Sequence, residues 1–415
     1  MLEDRCVPAT WIGAVSSDYS TPANWSTAAV PGPLEDLVFD GHYSNNDCVY
    51  SQAMYSQMAN SVTMQNSYSG TLHLQTPGPI GIGNGGITQS SGDIEADLGQ
   101  DIEVGGDYNW SGGSIDVNSP FIVAINMYAA GKDFNATGNG TTGANIVMQK
   151  GTTLTMTDPN GTSTFTKGAG IDVKDGAFLN CSDGTIAVTG AAGVITIESG
   201  GTMQKSAGGN KGFTTALAIQ NSGTFQLLQG LLTITGTAND TNGKAHGYYS
   251  AGTTDLTSNT SLVSKVGDVW LDGGVFWTEG PQSVGITADV VFNGGTINLN
   301  HSNQTGVGLL TVVGNVNIQG SATWVCKVDC SQPNKNSGAA DTITASAIIT
   351  LGGKSTFQTQ AYNVPLGGLT KNDYWSFLID TGNNAIAGNF GNTNLGTQGW
   401  TAGPGNIPSV WRLQK

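Results

Sequence analysis

Four aspartates are the first residues to weigh for chemistry: Asp172 with Asp175, and Asp268 with Asp272. Paired carboxylates cleave glycosidic bonds when they face each other about 5–9.5 Å apart, one protonated and one ionised. Each of these pairs also flanks a glycine corner, where Asp is expected because its side chain bonds nearby backbone. The turn reading therefore outweighs the catalytic one at both pairs. A lyase would need an Arg or Lys base beside an anionic sugar. Arginine occurs only at Arg5 and Arg412, so such a base would have to be a lysine. The histidines are His42, His73, His246 and His301, and none lies in a GxSxG-type pattern. The glycine-rich run Gly81–Gly86 (GIGNGG) is not followed by a helical pattern that would hold a phosphate. Calcium-binding nonapeptides of the GGxGxDxUx form are absent, and an isolated Ca²⁺ between Asp-rich loops has no signature to locate it. The sequence thus assigns no catalytic, cofactor-binding or metal-ligating residue.

Any such groups would be positioned by a strand–corner–strand unit that recurs along the chain. Asp289–Asn300 (DVVFNGGTINLN) reads as an alternating strand, a Gly-Gly corner and a second alternating strand. Ile146–Met156, Ile171–Leu179, Ile195–Met203, Ile219–Leu227, Val269–Trp277 and Val316–Val325 repeat the form. One such unit cannot bury its apolar face, but stacked copies can, which is the logic of a solenoid. Gly294 and Gly273 read as corner residues needing positive φ or close backbone approach. Polar insertions at Asn135–Gly143, Asp158–Thr166, Gly208–Thr214 and Asn239–Asp255 read as loops protruding from corners.

Composition narrows the function classes. Charged residues are 11% and the net charge is −15, which argues against phosphate-backbone binding through basic clusters. Asp outnumbers Glu by 24 to 6, so the acid count is first a turn count. No apolar run is long enough to span a membrane. Of five cysteines, Cys326 and Cys330 stand beyond disulfide reach if the chain between them is extended, roughly 13 Å over four residues. Cys6 and Cys48 are the other candidate pair, and Cys181 reads as a small core residue.

The two ends differ from the array. Trp11, Tyr19 and Trp25 stand near Val30-Pro-Gly-Pro-Leu34 and the apolar run Leu37–Phe39. Buried aromatic caps are the expected use, with sugar stacking by Trp11 or Trp25 as the sharper alternative. Leu2-Glu-Asp-Arg-Cys-Val-Pro-Ala9 resembles the LEDRxxPA segment of exported planctomycete surface proteins, where it follows a basic export leader that is missing here. Trp11-Ile-Gly13, Ser20–Trp25, Val30–Gly32 and Asp36–Phe39 resemble the entry module of autotransporter-like β-helix proteins. Glu35 stands where that module usually has the first Asp of a pair. Asp341–Ile343, Ile349–Gly353, Tyr374–Ile379 and Ile386–Phe390 resemble the closing module of such passengers, with Val410–Leu413 as the last strand. A self-exporting autotransporter with a translocator barrel is not expected.

The expected architecture is all-β: a right-handed parallel β-helix with an entry cap over 1–75, a repeat array over 76–335 and a closing module over 336–415. The resemblance implies an exported surface protein, extracellular or on the cell surface, in a form shortened from a precursor. Its expected role is structural or adhesive and non-catalytic, with self-association or surface glycans as partners and no cofactor. The alternative is a polysaccharide-acting enzyme or a carbohydrate-binding β-helix.

Overall fold

A computed structural model describes residues 7–414 apart from 52–55, 77–79, 97–101, 105, 107, 118–120, 124–125, 130–132, 137–145, 149–152, 157–161, 167–169, 182–183, 190–192, 207–211, 241–242, 258–259, 280–282, 300–306, 332–339, 365–373, 383, 396–399 and 405–408. The described residues are almost entirely strand, with one 3₁₀ turn at Pro22–Asn24. The strands pair in parallel, rung upon rung, as a β-solenoid. Among the described residues no helix is long and apolar enough to cross a membrane. The chain forms two compact units, Met1–Met203 with Phe213–Leu217, and Gln204–Gly212 with Ala218–Lys415.

In the second unit three columns of parallel strands can be followed. One runs through Ala218–Asn221, Ala245–Ser250, Asp268–Leu271, Val290–Phe292, Val316–Ile318 and Ile349–Leu351. The next runs through Thr224–Leu227, Thr253–Thr257, Val275–Glu279, Thr296–Asn298, Thr323–Asp329 and Thr356–Tyr362. The third runs through Leu231–Ile234, Ser261–Ser264, Ser283–Thr287, Leu309–Val313 and Thr342–Ala345. The period-two pattern decides which side chains go in. Leu232, Leu262, Ile286, Val312 and Ala345 stand in register and are all buried. Burying a side chain of the Leu or Ile size contributes about 1.5–3 kcal/mol, and each rung adds several.

The first unit stacks in the same way, but its early rungs use long strands. Ser56–Gln65 and Ile80–Ala96 each serve two columns, and their ladders shift register where they bend. Cys48 and Cys326 are buried, and burial pushes both thiols upward. The strand Thr323–Asp329 is extended between Cys326 and Cys330, as expected. Cys6 lies outside the described residues.

Two expectations need correction. Asn239–Asp255 is not a protruding loop. Ala238–Asn239 turns back antiparallel on Ala245–Ser250, which then rejoins the parallel ladder and is followed by Thr253–Thr257. Its inward residues are polar: the Tyr248 hydroxyl bonds the Thr254 hydroxyl at 2.7 Å, and Asn221 Nδ2 donates to the Ser250 hydroxyl at 3.0 Å. A buried hydrogen-bonded set of this kind hides a strand from a reading based on apolar alternation. Strand also reaches into the other predicted loops, at Thr162–Thr166 and Phe213–Thr215. The second correction is at a corner. The left-handed residue is Gly274 (φ 62°), not Gly273; a Cβ at Gly274 would meet the Gly252 carbonyl at 2.0 Å, whereas one at Gly273 makes only ordinary contact at 3.5 Å. Gly294 does need its bare α-carbon, since a Cβ there would sit 2.4 Å from the Asp272 carbonyl.

Candidate functional site

Among the described residues of the second unit, a dense group of chemically capable side chains surrounds His246. Its ring is 1% exposed. The register sets His246 opposite Asp268, one rung on, and Nδ1 hydrogen-bonds the Asp268 carboxylate. Nε2 points toward Asp240 Oδ2 at 3.5 Å. The antiparallel turn places Asp240 there, held by the Lys244 backbone N–H, which donates to Asp240 Oδ1 at 2.8 Å. Lys244 reaches back over the group: Nζ lies 3.6 Å from Asp268 Oδ2 and 3.8 Å from the Trp270 ring centroid. Tyr249 and Trp270, paired in register and half-exposed, flank the imidazole at 5.7 and 5.1 Å.

This geometry makes His246 a brace. A general base must present a nitrogen to the proton it removes. Both nitrogens of His246 face carboxylates, and its ring is shut away from solvent. Asp272 serves a different purpose. It is exposed at the corner, accepts the Tyr249 hydroxyl at 2.9 Å and Asn293 Nδ2 at 2.6 Å, and begins an amide ladder continued by Gln319 Nε2 to Asn293 Oδ1 at 3.1 Å. Asp268 and Asp272 are therefore engaged in separate networks. Sequence spacing alone did not bring His246, Asp240 and Lys244 to Asp268. The rung register does.

The other predicted pair lies in the first unit. Lys174 Nζ is 2.6 Å from Glu198 and 4.0 Å from Asp172, while Asp175 is exposed at the turn. The hydrogen bond that Lys174 donates to Glu198 raises the Lys174 pKa, with Asp172 adding to it. A lysine whose ammonium is favoured in this way is a poorer base at neutral pH, so Lys174 does not suit the lysine-base lyase. Such an exposed pair contributes little stability, of order 0–1 kcal/mol. His73 pairs with half-exposed Glu95 at 2.8 Å, and the exposed His42 with buried Asp40 at 3.3 Å. His301 and Arg5 lie outside the described residues. Arg412 stacks on the Tyr374 ring at 4.3 Å.

Trp11 and Trp25 are 0% and 1% exposed, so neither presents a ring face to a sugar. They pack edge to face at 5.0 Å and hydrogen-bond inward, Trp11 Nε1 to the Asn46 carbonyl and Trp25 Nε1 to the Tyr19 carbonyl. Half-exposed aromatics lie instead at Tyr249, Trp270 and Trp277. Among the described residues, no three His, Cys, Asp or Glu side chains converge as a metal set. No family model matches the chain, and no curated protein matches it.

Proposed function

We propose that the chain is an exported, non-catalytic β-solenoid that serves as a structural or adhesive element of the cell surface or extracellular space. The observation that carries this reading is a column of short uncharged side chains. Thr224, Thr253, Val275, Thr296, Thr323 and Thr356 stand in register on successive rungs, each half-exposed. Neighbouring strands lie about 4.8 Å apart, so the face offers a hydroxyl or methyl at that repeat. A regular, weakly charged surface suits lateral contact with another repeating polymer, either a second solenoid or a glycan chain. The carboxylates that would otherwise argue for catalysis are engaged in turns and ion pairs. The resemblance of 1–75 and 336–415 to entry and closing modules belongs to the same proposal, as does the expectation of export.

A second reading, a carbohydrate-binding or polysaccharide-acting β-helix, is favoured by Tyr249 and Trp270 lying half-exposed beside Asp272 and Lys244. Incubation with insoluble polysaccharides separates the two. The structural reading expects no release of reducing ends, and retention that survives Trp270→Ala. Sugar release abolished by Asp268→Asn would sink it in favour of an enzyme. Retention lost in Trp270→Ala, with the circular dichroism unchanged, would mark a binding module.

A further inference from the structure

The strand Asp268–Leu271 turns an alternating row of side chains outward. Val269 and Leu271 are buried, so Asp268, Trp270 and Asp272 share the outer face. The Asp272 N–H still bonds the Ser250 carbonyl at 2.7 Å, which keeps the chain in the ladder to that point. Side chains on one face of a strand stand two residues apart, roughly 6.6 Å, so the two aspartates are roughly 13 Å apart with the indole between them.

One ammonium group already lies on this row. Lys244 Nζ is 3.8 Å from the Trp270 ring centroid and 3.6 Å from Asp268 Oδ2. The row therefore has room for an ammonium where Lys244 sits, and it attracts one through a ring face and a carboxylate. His246 bonds the other Asp268 oxygen from the buried side and leaves this approach open. The Lys244 side chain is 52% exposed, while its backbone is pinned: its N–H donates to Asp240 Oδ1 and its carbonyl accepts the Asp240 N–H, both at 2.8 Å. Only the side chain has to swing to vacate the place, and an exposed ion pair with one cation–π contact holds it weakly. At the far end of the row, Asp272 is exposed and meets neutral groups, the Tyr249 hydroxyl and Asn293 Nδ2. Among the described residues no cation pairs with it.

We propose that the row Asp268–Trp270–Asp272 binds a linear polyamine, a flexible chain with an ammonium at each end. One ammonium replaces that of Lys244 beside Asp268, the alkyl chain lies across Trp270, and the other ammonium pairs with Asp272. A single ammonium would satisfy one end only, and an anionic ligand would meet two like charges. Lys244 acts as a tethered competitor, so a free amine has to exceed the millimolar effective concentration that a short flexible tether gives. This site goes beyond the structural or adhesive role, and that role stands whether or not the row binds an amine.

The test is calorimetric titration of the full chain with 1,8-diaminooctane. Salt of about 150 mM, with its screening length of about 8 Å, suppresses diffuse attraction to a chain of net charge −15. A millimolar Kd is expected. The diamine 1,3-diaminopropane carries the same charge but is too short to reach both aspartates, and should bind at least about tenfold more weakly. Lys244→Ala removes the competitor and should tighten binding at least about threefold. Trp270→Leu leaves every charge in place, and Asp272→Asn leaves the His246–Asp268 pair in place; each should weaken binding at least about fivefold. Should Trp270→Leu not fold, the exposed Asp272→Asn carries the test, with circular dichroism to show that it is folded. The proposal is overturned by no binding to wild type up to about 50 mM, well past the effective concentration of Lys244. Equal affinity for the two diamines, or in wild type and a folded Trp270→Leu or Asp272→Asn, overturns it as well, since it would report general attraction to an acidic chain.

Discussion

The two ends of the chain are closed by different means. At the N-terminal end, a loop does the work with hydrogen bonds. Asn24 is fully buried; its Oδ1 accepts the Val15 and Ser16 N–H groups at 2.9 and 3.2 Å, and its Nδ2 donates to the Ser16 hydroxyl and the Asp18 carbonyl at 3.0 and 2.8 Å. Asp18 bridges to Val49 and Trp11 to Trp25, so both short strands there are covered. Trp11, Trp25, Tyr19 and Tyr50 lie beneath in edge-to-face contact. At the C-terminal end the chain reverses instead. Val410–Gln414 lies antiparallel on Tyr374–Asp380 and is itself flanked by Thr401–Pro404. Phe377 and Phe390 stack on Phe357, and Trp411 meets Phe390 edge to face. Among the described residues, buried polar atoms without partners occur here, at Ser376 Oγ, Trp400 Nε1 and both oxygens of Asp380, whereas residues 7–50 show none. One closure is saturated with hydrogen bonds. The other holds polar groups that gain if they find a partner or are removed.

The largest effect expected from this contrast is at Asn24. Asn24→Leu keeps the volume but removes the acceptor of the part-buried Val15 and Ser16 N–H groups, which water can partly replace. A loss of about 2 kcal/mol in urea unfolding is expected. The same residue type at the other end, Asn384, is exposed. Asn384→Ala should stay within about 0.5 kcal/mol of wild type. Equal losses at both sites would erase the distinction between the closures.

Acidity should act on the two regions with opposite sign. Burial pushes the Asp341 carboxyl up to about 7, only partly offset by the Lys327 and Gly308 N–H groups and the Lys327 charge. A group raised in the folded state contributes stability that is fully present below its unfolded value near 3.8 and is lost as pH rises through about 7. That displacement is on the order of 4 kcal/mol. Asp40 runs the other way. Burial acts to raise it, but the His42 N–H, Asn66 and Gln65 outweigh burial and hold it below the ordinary value. Its contribution is present above that value and is lost as pH falls through the lower folded one. Urea midpoints should therefore rise on acidification from pH 8 to 5 and fall again below about pH 4. Asp341→Asn should flatten the first limb and Asp40→Asn the second. A wild-type midpoint that is flat between pH 5 and 8 would contradict the account of Asp341.

Most of the architecture was legible because period-two burial is local. Val290, Phe292 and Ile297 alternate inward on either side of Gly294-Gly295 wherever the rung happens to fall. The candidate site was not legible, because it depends on rung length, which varies. The step from Val269 to Val290 is 21 residues, from Val290 to Val316 is 26, and from Val316 to Ile349 is 33. Without a fixed repeat, nothing in the sequence sets His246 opposite Asp268. Gly273 and Gly274 show a finer limit: both belong to one corner, and only backbone direction distinguishes the residue that must be glycine.

The smallest expected effect is the sharpest test of the C-terminal closure. Ser376 is 1% exposed and its hydroxyl has no partner among the described residues, while its carbonyl still accepts from Thr342 at 3.5 Å. Removing an unsatisfied hydroxyl removes a desolvation cost without breaking a bond, so Ser376→Ala should be neutral or stabilising by up to about 1 kcal/mol. The comparison at the other end is the Tyr19 hydroxyl, which donates within the buried cap toward the Pro31 carbonyl at 3.2 Å and the Met58 carbonyl at 3.3 Å. Tyr19→Phe should cost about 1 kcal/mol, since it deletes a satisfied donor and leaves a carbonyl short of one. Both changes remove one oxygen from a buried site, so area and packing nearly cancel and the sign of the difference reports hydrogen bonding alone. If Ser376→Ala destabilises as much as Tyr19→Phe, the Ser376 hydroxyl has a partner, such as an ordered water, and the C-terminal closure is as saturated as the N-terminal one.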